Sequence, residues 1–229
     1  MPGLKGRAEG VTALFPHDVI PTTRRSRSLA AALLIVGGTA GLWLAAELAV
    51  PAWSPVAPAY RRKGPADAKV LIADFSDFQC QDCAAAAPLI KALVERHPGE
   101  VAVVFKHKYW DYHPHSLTAA LAAECAGKAG KFWEVHDALF ANQRSWSALG
   151  PDAARGLMLA YAEGAGLDPD SVEYCMAYPA VAAAVAADLA ETESLWVRAT
   201  PSFFINGRRF AGSRQLRTLG LKYVEDQLK

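Results

Sequence analysis

The stretch of residues 70–83, VLIADFSDFQCQDC, decides the fold. It opens with a short apolar run, residues 70–73, which is typical of a strand buried on both faces. Beyond Cys83, apolar residues recur at spacings of three and four through AAAAPLIKALVERH, and this pattern predicts an amphipathic helix. The C-x-x-C pair of Cys80 and Cys83 therefore lies where a buried strand gives way to the start of a helix.

The position of this pair indicates redox chemistry. Because the N–H groups and dipole of a helix N-terminus favour an anion, the pKa of Cys80 is expected below that of free cysteine, and Cys80 should supply the attacking thiolate. Cys83, one turn further, is placed to resolve a mixed disulfide. A metal site would need further ligands, and His107, His113 and His115 in KHKYWDYHPHS are interpreted as capping or surface residues. We therefore predict neither a metal nor a cofactor.

Composition narrows the class of protein. Of the 229 residues 52% are apolar, which is enough for a core and excludes wholesale disorder. The formal charge of +1 gives no electrostatic case for a nucleic-acid partner.

The second cysteine pair, Cys125 and Cys175, lies on two separate helical stretches, LTAALAAECA and SVEYCMA. The pair is either a structural disulfide, which we favour, or two separately buried thiols.

Residues 29–52 are predicted to anchor the chain in the cell membrane. The segment carries no charge before Glu47, and about 20 apolar residues cross a bilayer. Three arginines precede it, so residues 1–28 should form a cytoplasmic tail and the body should be extracytoplasmic, periplasmic or extracellular. The alternative is a signal peptide cleaved at residues 57–59, APA, which would release the body as a secreted protein. Residues 53–63 are interpreted as an extended tether with a possible first strand.

Three motifs in order resemble the DsbA-like branch of the thioredoxin superfamily, and within it the membrane- or signal-bearing proteins. They are ADFSDFQCQDC, ECAGKAGKFWEVHDALFANQ and ATPSFFINGRRF. The resemblance implies an α/β thioredoxin fold over residues 64–229, with an inserted helical subdomain at about 114–195 and the transmembrane segment before it.

The resemblance also implies roles for single residues. Asp74 matches the buried acid of the family and would accept the proton of Cys83, or else merely bond backbone groups. Asp77 is interpreted as a turn or N-cap residue. Pro201 matches the family's cis-proline beside the disulfide, and the backbone of Thr200 would pair with an extended substrate. Pro88 matches a proline within the active-site helix and predicts a kink.

The remaining pattern predicts the other elements. Strands are expected at 70–75, 101–107, 202–206 and 208–211, and helices at 80–96 and 213–228, with Asn206-Gly207 as a hairpin turn. The predicted core of the insertion consists of Trp133, Leu139, Met158, Tyr161 and Val185.

Three functions remain open at this point. The first is an extracytoplasmic thiol:disulfide oxidoreductase, a monomer that oxidises protein thiols and exchanges electrons with a membrane redox partner. The second is a reductase or isomerase kept reduced by a membrane electron donor. The third is a non-catalytic, membrane-tethered binding or chaperone module.

Asp82 stands between the cysteines, where strong oxidants of the family carry histidine. Its negative charge is expected to raise the pKa of Cys80 and to lower the reduction potential. The helix dipole, which lowers the pKa of Cys80, is expected to remain the larger effect.

Overall fold

A computed structural model describes residues 53–54 and 56–229. The predicted cytoplasmic tail (1–28) and membrane segment (29–52) lie outside the described residues. Within the described part of the chain, no single helix has both the length and the apolar character needed to cross a membrane.

A five-stranded mixed sheet forms the centre of the domain. Its strands are β1 (Arg62–Lys63), β2 (Val70–Ser76), β3 (Val101–His107), β4 (Ser202–Ile205) and β5 (Arg208–Ala211). They lie in the order β1-β3-β2-β4-β5, with β2 and β3 parallel and the other pairs antiparallel. The four predicted strands are present within one residue at each end, and the first strand falls at the end of the 56–63 segment. Because β2 is central and antiparallel to β4, its carboxyl end lies beside the amino end of β4.

Helices cover the sheet and build the insertion. They are α1 (Gln81–Arg96), α2 (Ser116–Lys128), α3 (Phe132–Ala141), α4 (Gln143–Ser147), α5 (Pro151–Gly164), α6 (Pro169–Met176), α7 (Pro179–Ser194), α8 (Gly212–Gln215) and α9 (Leu221–Leu228). Helices α2 to α7 lie between β3 and β4, where the insertion was expected. The last predicted helix is interrupted by a π turn, Leu216–Gly220, between α8 and α9. A Cβ on Gly220 would lie 3.1 Å from the Leu216 side chain, so glycine permits the close packing there.

The insertion has its own apolar core. Leu139, Met158 and Val185 are fully or almost fully buried in it, as predicted. Trp133 and Tyr161 are only partly buried and pack at its edge. The ring of Tyr161 carries one polar atom, which allows it to stay at a boundary with water. Both residues were predicted in the core, and the structure places them at its edge.

The segment expected to be an extended tether lies against the domain. Trp53 packs on an apolar cluster that includes Phe75, on the face of the sheet away from α1. The backbone N–H of Ser54 donates to Glu191 at 2.6 Å, and the ammonium of Lys106 donates to the carbonyl of Val56 at 2.5 Å. A tryptophan buries a large apolar area, and this contact holds the segment against the domain.

A cluster of buried ion pairs also holds the segment before β1 on the domain. Arg61 is 1% exposed; its Nε donates to Glu124 at 2.6 Å and its Nη1 donates to Asp188. His107 Nε2 lies 3.0 Å from the same Glu124 carboxylate, and Lys106 Nζ lies 3.7 Å from Asp188. Because buried charges are tolerated only when they are paired, the cluster fixes Arg61 to β3, α2 and α7.

Cys125 on α2 and Cys175 on α6 form a disulfide in the structure, with their Cα atoms 5.9 Å apart. This is the pairing favoured from the sequence. It joins two helices of the insertion that are 50 residues apart along the chain.

Candidate active site

The two free cysteines of the described chain lie at the start of α1. Cys80 is the N-cap residue, with extended backbone angles of φ −76° and ψ 121°. Its side chain is partly exposed, whereas Cys83 is 1% exposed. The backbone N–H of Asp77 points at Cys83 Sγ from 3.4 Å. A macromolecular substrate can therefore reach the first sulfur and not the second.

The pKa values of the two thiols are shifted in opposite directions. The pKa of Cys80 is lowered from 9.0 to about 6, chiefly because the Cys83 side chain hydrogen-bonds to its thiolate, while burial opposes the shift. The Thr200 side chain and the backbone N–H groups of Cys83 and Asp82 lower it further. Burial, and then Cys80, raise the pKa of Cys83 well above its ordinary value. Near neutral pH, Cys80 is a thiolate and Cys83 keeps its proton.

Asp74 lies within β2, six residues before Cys80, and is almost completely buried. Burial raises its pKa from 3.8 to about 7, although the Ser76 hydroxyl donates to the carboxylate and opposes the shift. The charge on Asp74 is one of the causes that raise the pKa of Cys83. Asp74 also lines a cavity together with Lys91. The protonation states of Asp74 and Cys83 are therefore linked through their charges.

The peptide bond between Thr200 and Pro201 is cis and precedes β4 directly. The carbonyl oxygen of Thr200 lies 3.4 Å from Cys80 Sγ. The carbonyl of Pro201 accepts the backbone N–H of Gly212 at 2.8 Å, which ties this loop to α8. The structure thus brings the partly exposed Cys80 and Thr200 together with the buried Pro201.

Asp77 has a larger role in the site than the turn or N-cap position assigned from the sequence. It is 1% exposed, and its Oδ1 accepts the backbone N–H of Gln79 at 2.8 Å and the hydroxyl of Ser116. Its Oδ2 accepts the backbone N–H of Trp110 at 3.2 Å and lies 2.7 Å from His113 Nδ1. One carboxylate therefore joins the cysteine loop, the β3–α2 loop and α2. The local turn was visible in the sequence, but the contacts more than 30 residues away were not.

The side chain of Asp82 is held by Ser213 at the other end of the chain. Its Oδ2 accepts the backbone N–H of Ser213 at 2.8 Å, and its Oδ1 accepts the Ser213 hydroxyl. Gly212, with φ +80°, allows this approach, since a Cβ there would lie 3.1 Å from Asp82 Oδ2. The Asp82 charge is not among the causes that shift the pKa of Cys80; only its backbone N–H is. The expected repulsion is therefore not among the causes that shift the pKa of Cys80, and the carboxylate is held at Ser213.

Gln143 on α4 is a further positioning residue that the sequence did not indicate. Its amide donates to the carbonyl of Phe78 at 2.7 Å and to that of Cys80 at 2.8 Å, so the insertion holds the cysteine loop directly.

The three clustered histidines have separate surroundings. His113 lies at the Asp77 carboxylate described above, and His115 Nε2 lies 2.8 Å from the carbonyl of Leu149. His107 is buried against Glu124, so its interpretation as a capping or surface residue is wrong.

The fold and the dithiol define a class: a thioredoxin-fold protein with a helical insertion and an asymmetric C-x-x-C pair beside a cis-proline. Residues 57–224 match the thioredoxin family, and the chain belongs to that family. The predicted family is confirmed, its membrane- or signal-bearing branch stays a prediction, and the prediction of a protein disulfide oxidoreductase agrees with the family.

Solved structures show the same architecture. BdbD from Bacillus subtilis has a TM-score of 0.65 and 22% identity, covering 73% of this chain and 92% of its own. A thioredoxin-like oxidoreductase from Silicibacter pomeroyi has a TM-score of 0.60 and 26% identity, covering 76% and 91%. DsbA2 from Pseudomonas aeruginosa has a TM-score of 0.57 and 24% identity, covering 74% and 97%. The fold is therefore of the DsbA type.

Curated relatives include a protein named Na(+)/H(+) antiporter NhaA 1 from Salinispora arenicola. It is 36% identical over 158 residues, which are 69% of this chain and 23% of the relative. The chain thus spans about a quarter of the length of these relatives.

Proposed function

We propose that this chain is an extracytoplasmic thiol:disulfide oxidoreductase that exchanges the Cys80–Cys83 disulfide with protein substrates as a dithiol oxidase. The observation that carries the proposal is the asymmetry of the pair. Cys80 is accessible and has a pKa of about 6, whereas Cys83 is buried and has a raised pKa. Such a pair confines exchange with a substrate to one sulfur.

The oxidising reaction follows from this geometry. A substrate thiolate attacks Cys80 Sγ, the Cys80–Cys83 bond breaks, and its electron pair stays on Cys83. Cys83 then takes a proton, which Asp74 can supply because its pKa is about 7. A second substrate thiolate attacks the substrate sulfur of the mixed disulfide and expels Cys80 as a thiolate. Two electrons pass from the substrate dithiol to the enzyme, and the low pKa of Cys80 makes it a good leaving group.

The cis-proline loop provides a place for the substrate. The carbonyl oxygen of Thr200 contacts Cys80 Sγ, and Pro201 and then β4 follow Thr200 in the chain. An extended substrate segment beside this loop would bring its cysteine to Cys80 while its main chain pairs with Thr200.

The reverse reaction, reduction of a substrate disulfide, is the second candidate. The pKa of Cys80 is compatible with it. A value of about 6 lies between about 3.5, found in a strong oxidant, and about 7, found in the reductant thioredoxin. In that direction the Cys80 thiolate attacks a substrate disulfide, and Cys83 resolves the adduct while Asp74 accepts its proton.

The reduction potential of the Cys80/Cys83 couple separates the two directions. Equilibration with glutathione, followed by alkylation of the remaining thiols, gives this potential. A value near about −120 mV supports the oxidase, and one near about −270 mV overturns it in favour of the reductase.

Exchange with substrates is tested by trapping. A Cys83→Ala variant, expressed in its source cell, should accumulate mixed disulfides through Cys80, while the matched Cys80→Ala/Cys83→Ala variant should form none. Equal amounts of adduct from both variants, or none from either, would contradict thiol exchange and leave the binding-module hypothesis.

The extracytoplasmic location is supported by the apolar segment 29–52 and by the Cys125–Cys175 disulfide, since disulfides persist in oxidising compartments. Extraction of membranes at high pH should leave the full-length chain in the pellet. Release of an N-terminally shortened protein would mean that the segment is a cleaved signal peptide.

A further inference from the structure

The backbone of Asp77 contacts both active-site cysteines. Its carbonyl oxygen accepts the N–H of Cys80 at 3.1 Å, and its own N–H donates to Cys83 Sγ at 3.4 Å. Because Cys83 is 1% exposed, its sulfur depends on donors of the protein rather than on water. The Cys80 side chain also hydrogen-bonds to Cys83 in the reduced protein.

The N–H of Asp77 becomes important when the active-site disulfide opens. A thiolate attacks Cys80 Sγ, the Cys80–Cys83 bond breaks, and its electron pair passes to Cys83 Sγ. Cys80 then has no proton to donate, because its sulfur is bonded to the attacking sulfur. Among the described residues, the Asp77 N–H is the hydrogen-bond donor at the released sulfur. A donor directed at a buried anion stabilises it, so this N–H favours release of Cys83.

The side chain of Asp77 is held from two sides. Its Oδ1 accepts the N–H of Gln79 at 2.8 Å, which closes a turn within the cysteine loop, and the hydroxyl of Ser116 on α2. Its Oδ2 accepts the N–H of Trp110 at 3.2 Å and lies 2.7 Å from His113 Nδ1, both in the loop before α2. These contacts fix the position of residue 77, and with it the direction of its backbone N–H.

We propose that Asp77 is a positioning residue for the opening of the Cys80–Cys83 disulfide. Its carboxylate, anchored at α2 and the loop before it, holds its backbone N–H on Cys83 Sγ, where this N–H stabilises the released thiolate. The inference rests on the proposed function only in taking Cys80 as the sulfur that is attacked.

The test is the rate at which dithiothreitol reduces the oxidised full-length protein at pH 7. Acid quenching, alkylation and peptide mapping separate the active-site pair from the second disulfide. Asp77→Asn keeps the size of the side chain but leaves one acceptor oxygen for the donors on both sides. The rate constant should fall about fivefold, the effect of one lost hydrogen bond. Removal of the negative charge alone would favour the Cys83 thiolate and speed the reaction, so a charge effect has the opposite sign.

A second reaction shows whether the effect passes through Cys83. In a Cys83→Ala variant, glutathione bound to Cys80 as a mixed disulfide is removed by dithiothreitol, and no Cys83 thiolate forms. Adding Asp77→Asn to this background should not slow the removal by more than a factor of 1.5. A general loss of structure around the cysteines would change both reactions.

Two further variants complete the design. Asp111→Asn makes the same chemical change at an exposed position of the loop before α2 and should keep the rate of disulfide opening within a factor of 1.5. Ser116→Ala removes one donor from the Asp77 carboxylate, leaves its charge in place, and should slow disulfide opening about twofold. Should Asp77→Asn fail to fold, Ser116→Ala takes its place in both reactions.

Two results would overturn the proposal. One is a disulfide that opens as fast in Asp77→Asn as in the unaltered protein, or faster, or that opens at an unchanged rate in Ser116→Ala where Asp77→Asn does not fold. The other is a loss of the same size in the Cys83→Ala background. Failure of the proposed function looks different: the dithiothreitol rates would still differ in this way, but the Cys83→Ala variant would trap no protein substrate in cells.

Discussion

Replacement of the buried acid by its neutral isostere, Asp74→Asn, should stabilise the folded protein at high pH and leave its stability unchanged at low pH. The cause is the burial of a carboxyl group whose pKa is raised from 3.8 to about 7. The folded state therefore binds a proton that the unfolded state has released throughout this interval. Stability is lost as the pH rises through the interval, and the loss is complete above the folded pKa.

The magnitude follows from the two pKa values. Each pH unit between 3.8 and about 7 costs the folded state about 1.4 kcal/mol, so the full penalty above pH 8 is about 4 kcal/mol. Asp74→Asn removes that penalty and keeps an oxygen that can accept the Ser76 hydroxyl. The difference in unfolding free energy between the variant and the unaltered protein should be near zero at pH 4 and grow to about 4 kcal/mol at pH 8.5.

The assay is urea denaturation of the oxidised protein from pH 4 to pH 9. Oxidation removes both active-site thiols from the titration, so that Asp74 alone accounts for the difference. Asp67→Asn, the same chemical change at an exposed position, should change stability by less than about 0.5 kcal/mol at every pH. A difference between Asp74→Asn and the unaltered protein that stays constant from pH 4 to pH 9 would refute the reasoning, because it would mean that Asp74 titrates alike in both states.

Three further changes test other contacts. Replacing Cys125 and Cys175 by alanine should lower the unfolding free energy by about 4 kcal/mol, from the chain entropy of a 50-residue loop, as measured by denaturation with and without reductant. Arg61→Met should cost about 3–5 kcal/mol in the same assay, since it removes the guanidinium that pairs with two buried carboxylates. Ser213→Ala should free the Asp82 carboxylate and raise the pKa of Cys80, which would appear as slower alkylation at pH 5 that a second change, Asp82→Asn, restores. An unaltered alkylation profile in Ser213→Ala would contradict that role of the Asp82–Ser213 contact.

The strand–helix junction could be predicted from the sequence because its signals are local. A buried strand, a C-x-x-C pair and a period of three to four residues follow one another within 28 positions, and each is readable by itself. The hairpin was equally local: Asn206 and Gly207 both have positive φ, at 46° and 87°, as a type I′ turn requires.

The supporting contacts could not be predicted, since they join residues that are far apart in the chain. Asp82 meets Ser213 across 131 positions, and Gln143 meets Cys80 across 63. Short polar side chains such as these have no periodicity, and their partners depend on how the insertion returns to the sheet. For the same reason the negative charge of Asp82 could be read from the sequence, but its contact with Ser213 could not.

The lowered pKa of Cys80 bears on the direction of electron flow. At pH 7, a Cys80 pKa of about 6, in place of the value of about 7 in thioredoxin, stabilises the reduced protein by about 1 kcal/mol, which is about 22 mV for a two-electron couple. The gap between a strong oxidant and thioredoxin is about 150 mV. Thiolate stabilisation therefore has the sign expected for an oxidase and supplies about a seventh of the difference. If the potential lies near about −120 mV, the remainder must come from interactions other than the ionisation of Cys80, so substitutions around the Thr200–Pro201 loop should shift the potential more than they shift the pKa of Cys80.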